Sequence, residues 1–189
     1  MYLVQLHTNT LNFCICDIFV MEISMKKIIL PVSVIVLIII FFAPLIKQFT
    51  ITNKKTNEIV FCDSIDNFKN FYISFIHSVN KTHVNEYYRI DGDKFAVYKT
   101  TFYSYGAGMP DVSEIPNASI KFNDGFVEIN NIDRRLDEFA YMVGTCAEHT
   151  LHGKNDSFKL EKYVEPQETA LFKIRRVSIY DILRRRFNE

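Results

Sequence analysis

The stretch FYISFIHSVNKTHVNEYYRI, residues 71–90, alternates apolar and polar side chains on both sides of a short polar break. Phe71, Ile73, Phe75, His77 and Val79 share one face of the first run, and Tyr72, Ser74, Ile76 and Ser78 share the other. In the second run Val84, Glu86, Tyr88 and Ile90 fall together, with Asn85, Tyr87 and Arg89 opposite. A period of two over runs of this length marks half-buried strands, and the NKTH break between them predicts a hairpin. Pairing Val79 with Val84 sets Phe75 opposite Tyr88, Ile73 opposite Ile90, and His77 opposite Glu86. A one-residue slip would set apolar against polar at every step. Directly opposed residues have Cβ atoms ~5 Å apart, close enough for a His–carboxylate hydrogen bond. Three readings of that pair stay open. The two groups satisfy each other inside a core. They line a pocket that binds a polar ligand or, with His149 or His152, a metal. Or Glu86 orients His77 as a general base.

The chain after Lys47 continues in short alternating runs. SIKFNDGFVEI, residues 119–129, is a hairpin signal, because Asp124-Gly125 is a preferred two-residue turn of the primed type. Its register sets Phe122 against Val127, Ile120 against Ile129 and Lys121 against Glu128. EFAYMVGTCAEHTL (138–151), FKLEKYV (158–164) and ALFKIRRV (170–177) read as three further strands. Strands this short and frequent predict an all-β, antiparallel sandwich or flattened barrel. SIYDILRRRF, residues 178–187, reads as a short C-terminal helix with Ser178 and Asp181 as a capping box. Its arginines suit the negative end of a helix, and a solvated basic end is preferred over a contact with anionic headgroups.

MKKIILPVSVIVLIIIFFAPLIK, residues 25–47, holds 19 uncharged residues from Ile28 to Ile46. As a helix that run would be ~28 Å long, close to the hydrocarbon thickness of a bilayer. It lacks an A-x-A-like cleavage site and is longer than a usual signal-peptide apolar region, so an uncleaved signal-anchor is expected. Lys26 and Lys27 would stay in the cytoplasm, which places the rest of the chain outside the cell membrane as a single-pass protein. The expected organisation is an N-terminal extension (1–24), a transmembrane anchor (25–47) and an extracytoplasmic β domain (48–189). An outside location permits disulfides, and Cys62 with Cys146 is the candidate bridge, weighed against two unbridged thiols.

Lys plus Arg and Asp plus Glu each number 22, which leaves no net charge to drive nucleic-acid binding. No nucleophile-elbow motif, C-x-x-C pair or H-E-x-x-H signature is present, so no catalytic residue, metal ligand set or cofactor is assigned. In YSYGAGMP, residues 103–110, Gly106 and Gly108 permit close backbone approach, as a ligand-cradling loop or as a bulged corner between sheets.

FIHSVNKTHVNEYYRI followed by FYSYGAGMP resembles the domain-of-unknown-function family 1850. The shared pattern is a strand ending in H-S-V, a short loop, an E-Y-x-R-like strand and a G-A-G-x-P segment, with weaker likeness in DGFVEI and EHTL. It spans roughly residues 57–153. Carried over, the marked positions are His77, Ser78, Val79, Glu86, Tyr87, Gly106, Gly108 and Pro110. The resemblance implies no settled activity. Members are often encoded beside permeases of the tripartite periplasmic (TRAP) transporter class, which implies an accessory role in solute uptake with a permease, a small solute and the lipid bilayer as partners. The expected function is a membrane-anchored binding or accessory module, with His77, Ser78, Glu86, Tyr87, Gly106, Gly108 and Pro110 as ligand-binding residues. The alternatives are a metal-dependent or hydrolase-like enzyme using His77 and Glu86, and a purely structural envelope protein. Met25 is the more natural start for an anchor. Mass spectrometry of the native N-terminus is therefore expected to begin at Met25, and a peptide from residues 1 to 20 would overturn that.

Overall fold

The computed structural model describes residues 29–103, 113 and 115–186. Two antiparallel sheets dominate them. The smaller has the order β2 (Glu58–Ser64), β1 (Ile46–Asn53), β11 (Thr169–Val177), β8 (Glu138–Met142). The larger has the order β10 (Ser157–Lys159), β9 (Thr150–His152), β3 (Asn70–Ile76), β4 (His83–Asp91), β5 (Lys94–Phe102), β7 (Phe126–Leu136), β6 (Ser119–Asn123). The chain divides into two compact units, Lys47–Arg176 with both sheets and a second that holds the two helices.

Aromatic rings fill the space between the sheets. Phe71 on β3 pairs across strands with Tyr88 on β4, and their rings stack at 5.1 Å. Phe139 on β8 pairs with Phe172 on β11, and theirs stack at 4.6 Å. Tyr88 then stacks on Phe139 at 4.4 Å, so four nearly parallel rings run from one sheet into the other. Phe49 and Phe95 close the sides of this core, both fully buried. Such pairs contribute ~0.5–1.5 kcal/mol each beyond their area burial.

The expected faces are all present, but the first hairpin is in a different register. The observed partners are Phe71–Tyr88, Ile73–Glu86, Phe75–Val84 and Ile76–His83. That is a shift of four residues from the pairing of His77 with Glu86, which is therefore corrected. An even slip returns every side chain to its own face, so alternation is blind to it. The turn decides. His77 lies in the loop after β3, where its Nδ1 accepts from the backbone N–H groups of Val79 and Asn80, each at 3.3 Å. Its own N–H donates to Thr82 O and its carbonyl accepts from Lys81 N. Lys81 takes a positive φ of 54°, and Val79 ends 65% exposed at the tip.

The second hairpin has the expected register: Ile120–Ile129, Lys121–Glu128 and Phe122–Val127. Its positive φ, 88°, is at Gly125 and not at Asp124, so the turn is not of the primed type. The run at 138–151 is not one strand. It breaks after Met142 and crosses from the smaller sheet to β9 in the larger. FKLEKYV is strand only in its first residues and then a 3₁₀ turn, Leu160–Lys162. Cys62 and Cys146 form no disulfide; the Cys62 thiol donates to Gln48 Oε1 at 2.5 Å.

In the other unit, α1 covers residues 29–42, and its apolar side chains are exposed, Leu37 at 65%. Among the described residues no helix is long and apolar enough to cross a membrane. The C-terminal helix α2 (Ile179–Arg186) opens with the expected capping box: Ser178 Oγ accepts from Asp181 N at 3.1 Å, and Asp181 Oδ2 accepts from Ser178 N at 3.1 Å.

Phe172→Ala removes the last ring of the stack and is expected to cost ~3–5 kcal/mol, with Phe172→Leu costing clearly less. Denaturant unfolding followed by near-UV circular dichroism measures both; equal, small losses would show that the stack does not hold the sheets together.

Candidate functional site

Glu86 occupies the middle of β4, flanked by Ile73 on β3 and Thr100 on β5. A carboxylate at a half-buried strand position needs donors. Two arrive, from different sheets. Tyr88, two residues on and on the same face, donates its hydroxyl to Glu86 Oε2 at 2.8 Å. Tyr141, from β8 of the other sheet, donates to the same oxygen. The two phenol oxygens lie 2.8 Å from each other. Burial raises both phenols well above their ordinary value, and the Glu86 charge raises them further. Both therefore stay protonated and act as donors at neutral pH. All of this bonding falls on Oε2. Glu86 Oε1 takes no hydrogen bond among the described residues.

The triad opens into a cleft of about 710 Å³ between the inner face of β4, β5 and β7 and strand β8. Val97, Ile132, Leu136 and Phe139 supply apolar walls, and Thr100 and Arg134 supply polar groups. The volume is in the range of small-molecule sites. Glu86 is thus part of a pocket wall rather than of a sealed core.

The other expected residues lie elsewhere. His77 caps its own turn, and Ser78 is exposed beside it. Neither lines the cleft with Glu86, so a base or ligand role built on the His77–Glu86 pair lacks its geometry. Tyr87 faces the opposite side of β4, where it stacks on Tyr72 at 5.2 Å with Lys99 Nζ 4.1 Å from its ring centre. Gly106, Gly108 and Pro110 lie outside the described residues. His152 stacks on Tyr72 at 4.1 Å and meets Ser74 Oγ through Nε2 at 2.9 Å. His149 is 8% exposed and packs against Phe75 and Tyr141. Burial lowers the pKa of both histidines. Among the described residues no three His, Cys, Asp or Glu side chains gather as a metal-ligand set.

Residues 71–160 match the model of a domain of unknown function, DUF1850. This region resembles that family. The DUF1850-like region runs from the start of the first hairpin to the 3₁₀ turn at Leu160, so it contains Glu86, Tyr88 and Tyr141 but leaves out β1, β2 and β11. No curated protein and no solved structure matches the chain.

Tyr88, Tyr141, Thr100 and Arg134 were not singled out from sequence. The usable signal was a tyrosine on the apolar face of two strands, Tyr88 beside Glu86 and Tyr141 beside Phe139, since a buried phenol needs a hydrogen-bond partner. Tyr141→Phe is expected to cost ~1.5–3 kcal/mol, the worth of a hydrogen bond to a charged group, as read from chemical denaturation. A second outcome concerns pH. Above about pH 10 the unfolded phenols ionise while the folded ones keep their protons. The folded state then binds more protons, so the phenols' contribution to stability is constant below about pH 10 and falls above it, by up to ~1.4 kcal/mol per pH unit for each phenol. Tyr141→Phe should make that alkaline slope shallower, and an unchanged slope would count against the triad.

Proposed function

We propose that the chain is a membrane-anchored, non-enzymatic binding module whose β domain lies outside the cytoplasm and holds a small solute in the Glu86 cleft. The observation that carries this reading is the state of Glu86. One carboxylate oxygen is saturated by two phenols, and the other takes no bond in a cleft with apolar walls. The second oxygen is not sealed away from solvent, so a solute entering the cleft can reach it. The phenols fix the carboxylate's orientation, so a ligand donor would meet a preorganised acceptor.

The anchor is supported by the uncharged run from Ile28 to Ile46 and by the exposed apolar side chains of residues 29–42. The accessory role beside a solute permease is supported by the family resemblance.

Two measurements test this. Thermal unfolding of the full chain against a panel of amines, carboxylates, sugars and zwitterions should show at least one class that raises Tm. A ligand at a hundredfold its Kd adds ~2.7 kcal/mol of stability. Glu86→Gln should abolish that rise while the variant still folds. A panel with no effect, or a rise that survives Glu86→Gln, defeats the binding reading. Separately, the chain should stay with membranes after alkaline carbonate extraction, and a C-terminal tag should be cleaved by protease added outside intact cells or spheroplasts; release of the chain, or protection of the tag, defeats the topology.

A further inference from the structure

We infer that the solute is an aliphatic zwitterion, an amino-acid-like molecule with an ammonium, a carboxylate and an apolar body. This rests on the binding reading of the same cleft and names its ligand class. Among the described residues three charged side chains line the cleft: Glu86, Arg134 and Glu138. Glu138 is already engaged, with Lys173 Nζ 2.9 Å from its Oε2. One anion and one cation are left. Glu86 presents Oε1 unbonded, and Arg134, exposed on β7, has no ion-pair partner among the described residues.

The strand registers set the distance between them. Tyr88 pairs with Val97 on β5, and Val97 pairs with Arg134 on β7, so these three form one row across the sheet. Glu86 is two residues from Tyr88 along β4 and shares its face. Two strand spacings and a two-residue rise put the Glu86 and Arg134 Cα atoms ~12 Å apart. Both side chains stand off the same face of the sheet, so a small molecule lying along that face can reach both charges. The ammonium would meet Glu86 Oε1, deep beside the phenols. The carboxylate would meet the planar fork of Arg134, which suits bidentate recognition. Val97 and Phe139 lie on the walls as apolar surface for the body. A solute with a carboxylate alone would leave the half-buried Glu86 charge unpaired. One with an amine alone would forgo the Arg134 contact.

The test is calorimetric titration of the full chain in lipid nanodiscs with L-leucine, isoamylamine and 4-methylpentanoate, which share an apolar body and differ in charge. Leucine is expected to bind at least ~10-fold more tightly than either analogue, about 1.4 kcal/mol. Glu86→Gln should weaken leucine ~10-fold or more without weakening 4-methylpentanoate, and Arg134→Gln should weaken leucine without weakening isoamylamine. An analogue that binds as well as leucine, variants that leave leucine unchanged, or no heat from leucine would each overturn the zwitterion assignment. The binding reading itself falls only if the wider solute panel also gives no Glu86-dependent effect, so the two failures are distinguishable.

Discussion

The stack of Phe71, Tyr88, Phe139 and Phe172 is the contact on which the rest of the β unit depends. Each sheet contributes one cross-strand pair, and the two pairs meet face to face where Tyr88 lies on Phe139. This fixes the lateral position of β8 over β4. It also fixes the site, because Tyr88 belongs to both arrangements: its ring is in the core stack and its hydroxyl is on Glu86. Tyr141 is two residues along β8 from Phe139, on the same face, so the packing that seats Phe139 also delivers the second phenol.

The carboxylate is held by geometry that neither sheet provides alone. In the larger sheet Glu86 would have one phenol and an open side. With the smaller sheet in place, the second donor arrives and the cleft acquires its far wall. The same low-dielectric surroundings that keep the phenols protonated make an unpaired charge costly there. The second carboxylate oxygen opens into the cleft, where it is reachable from outside the chain. His77, by contrast, uses its imidazole on its own turn, where it accepts from two backbone N–H groups.

Much of the fold was legible in residues 71–90 and 119–129. Alternation assigned every buried side chain of β3 and β4 to the correct face, and the Asp-Gly turn with its flanking pairs gave the β6–β7 register as found. Ser178 and Asp181 announced the helix they cap. The site was legible only in part. Glu86 stood out as an ionisable group on an apolar face, but His77 was assigned to it by a register that local pattern cannot select. The break after Met142 was marked only by Gly144 and the small polar residue after it, which a bulged strand can also carry.

The sequence by itself determined which side chains face inward, since a period of two leaves no choice once a strand is buried on one face. It also determined the place of the second hairpin's turn but not its type, the cap of α2 and the uncharged run that precedes the β unit. Only the tertiary structure decided the register of the first hairpin, because slips by an even number of residues conserve every facing. Only it decided that Glu86 would be met by two tyrosines rather than by a histidine: Tyr141 is 55 residues away in the chain, and the stack across the sheets is what brings it there.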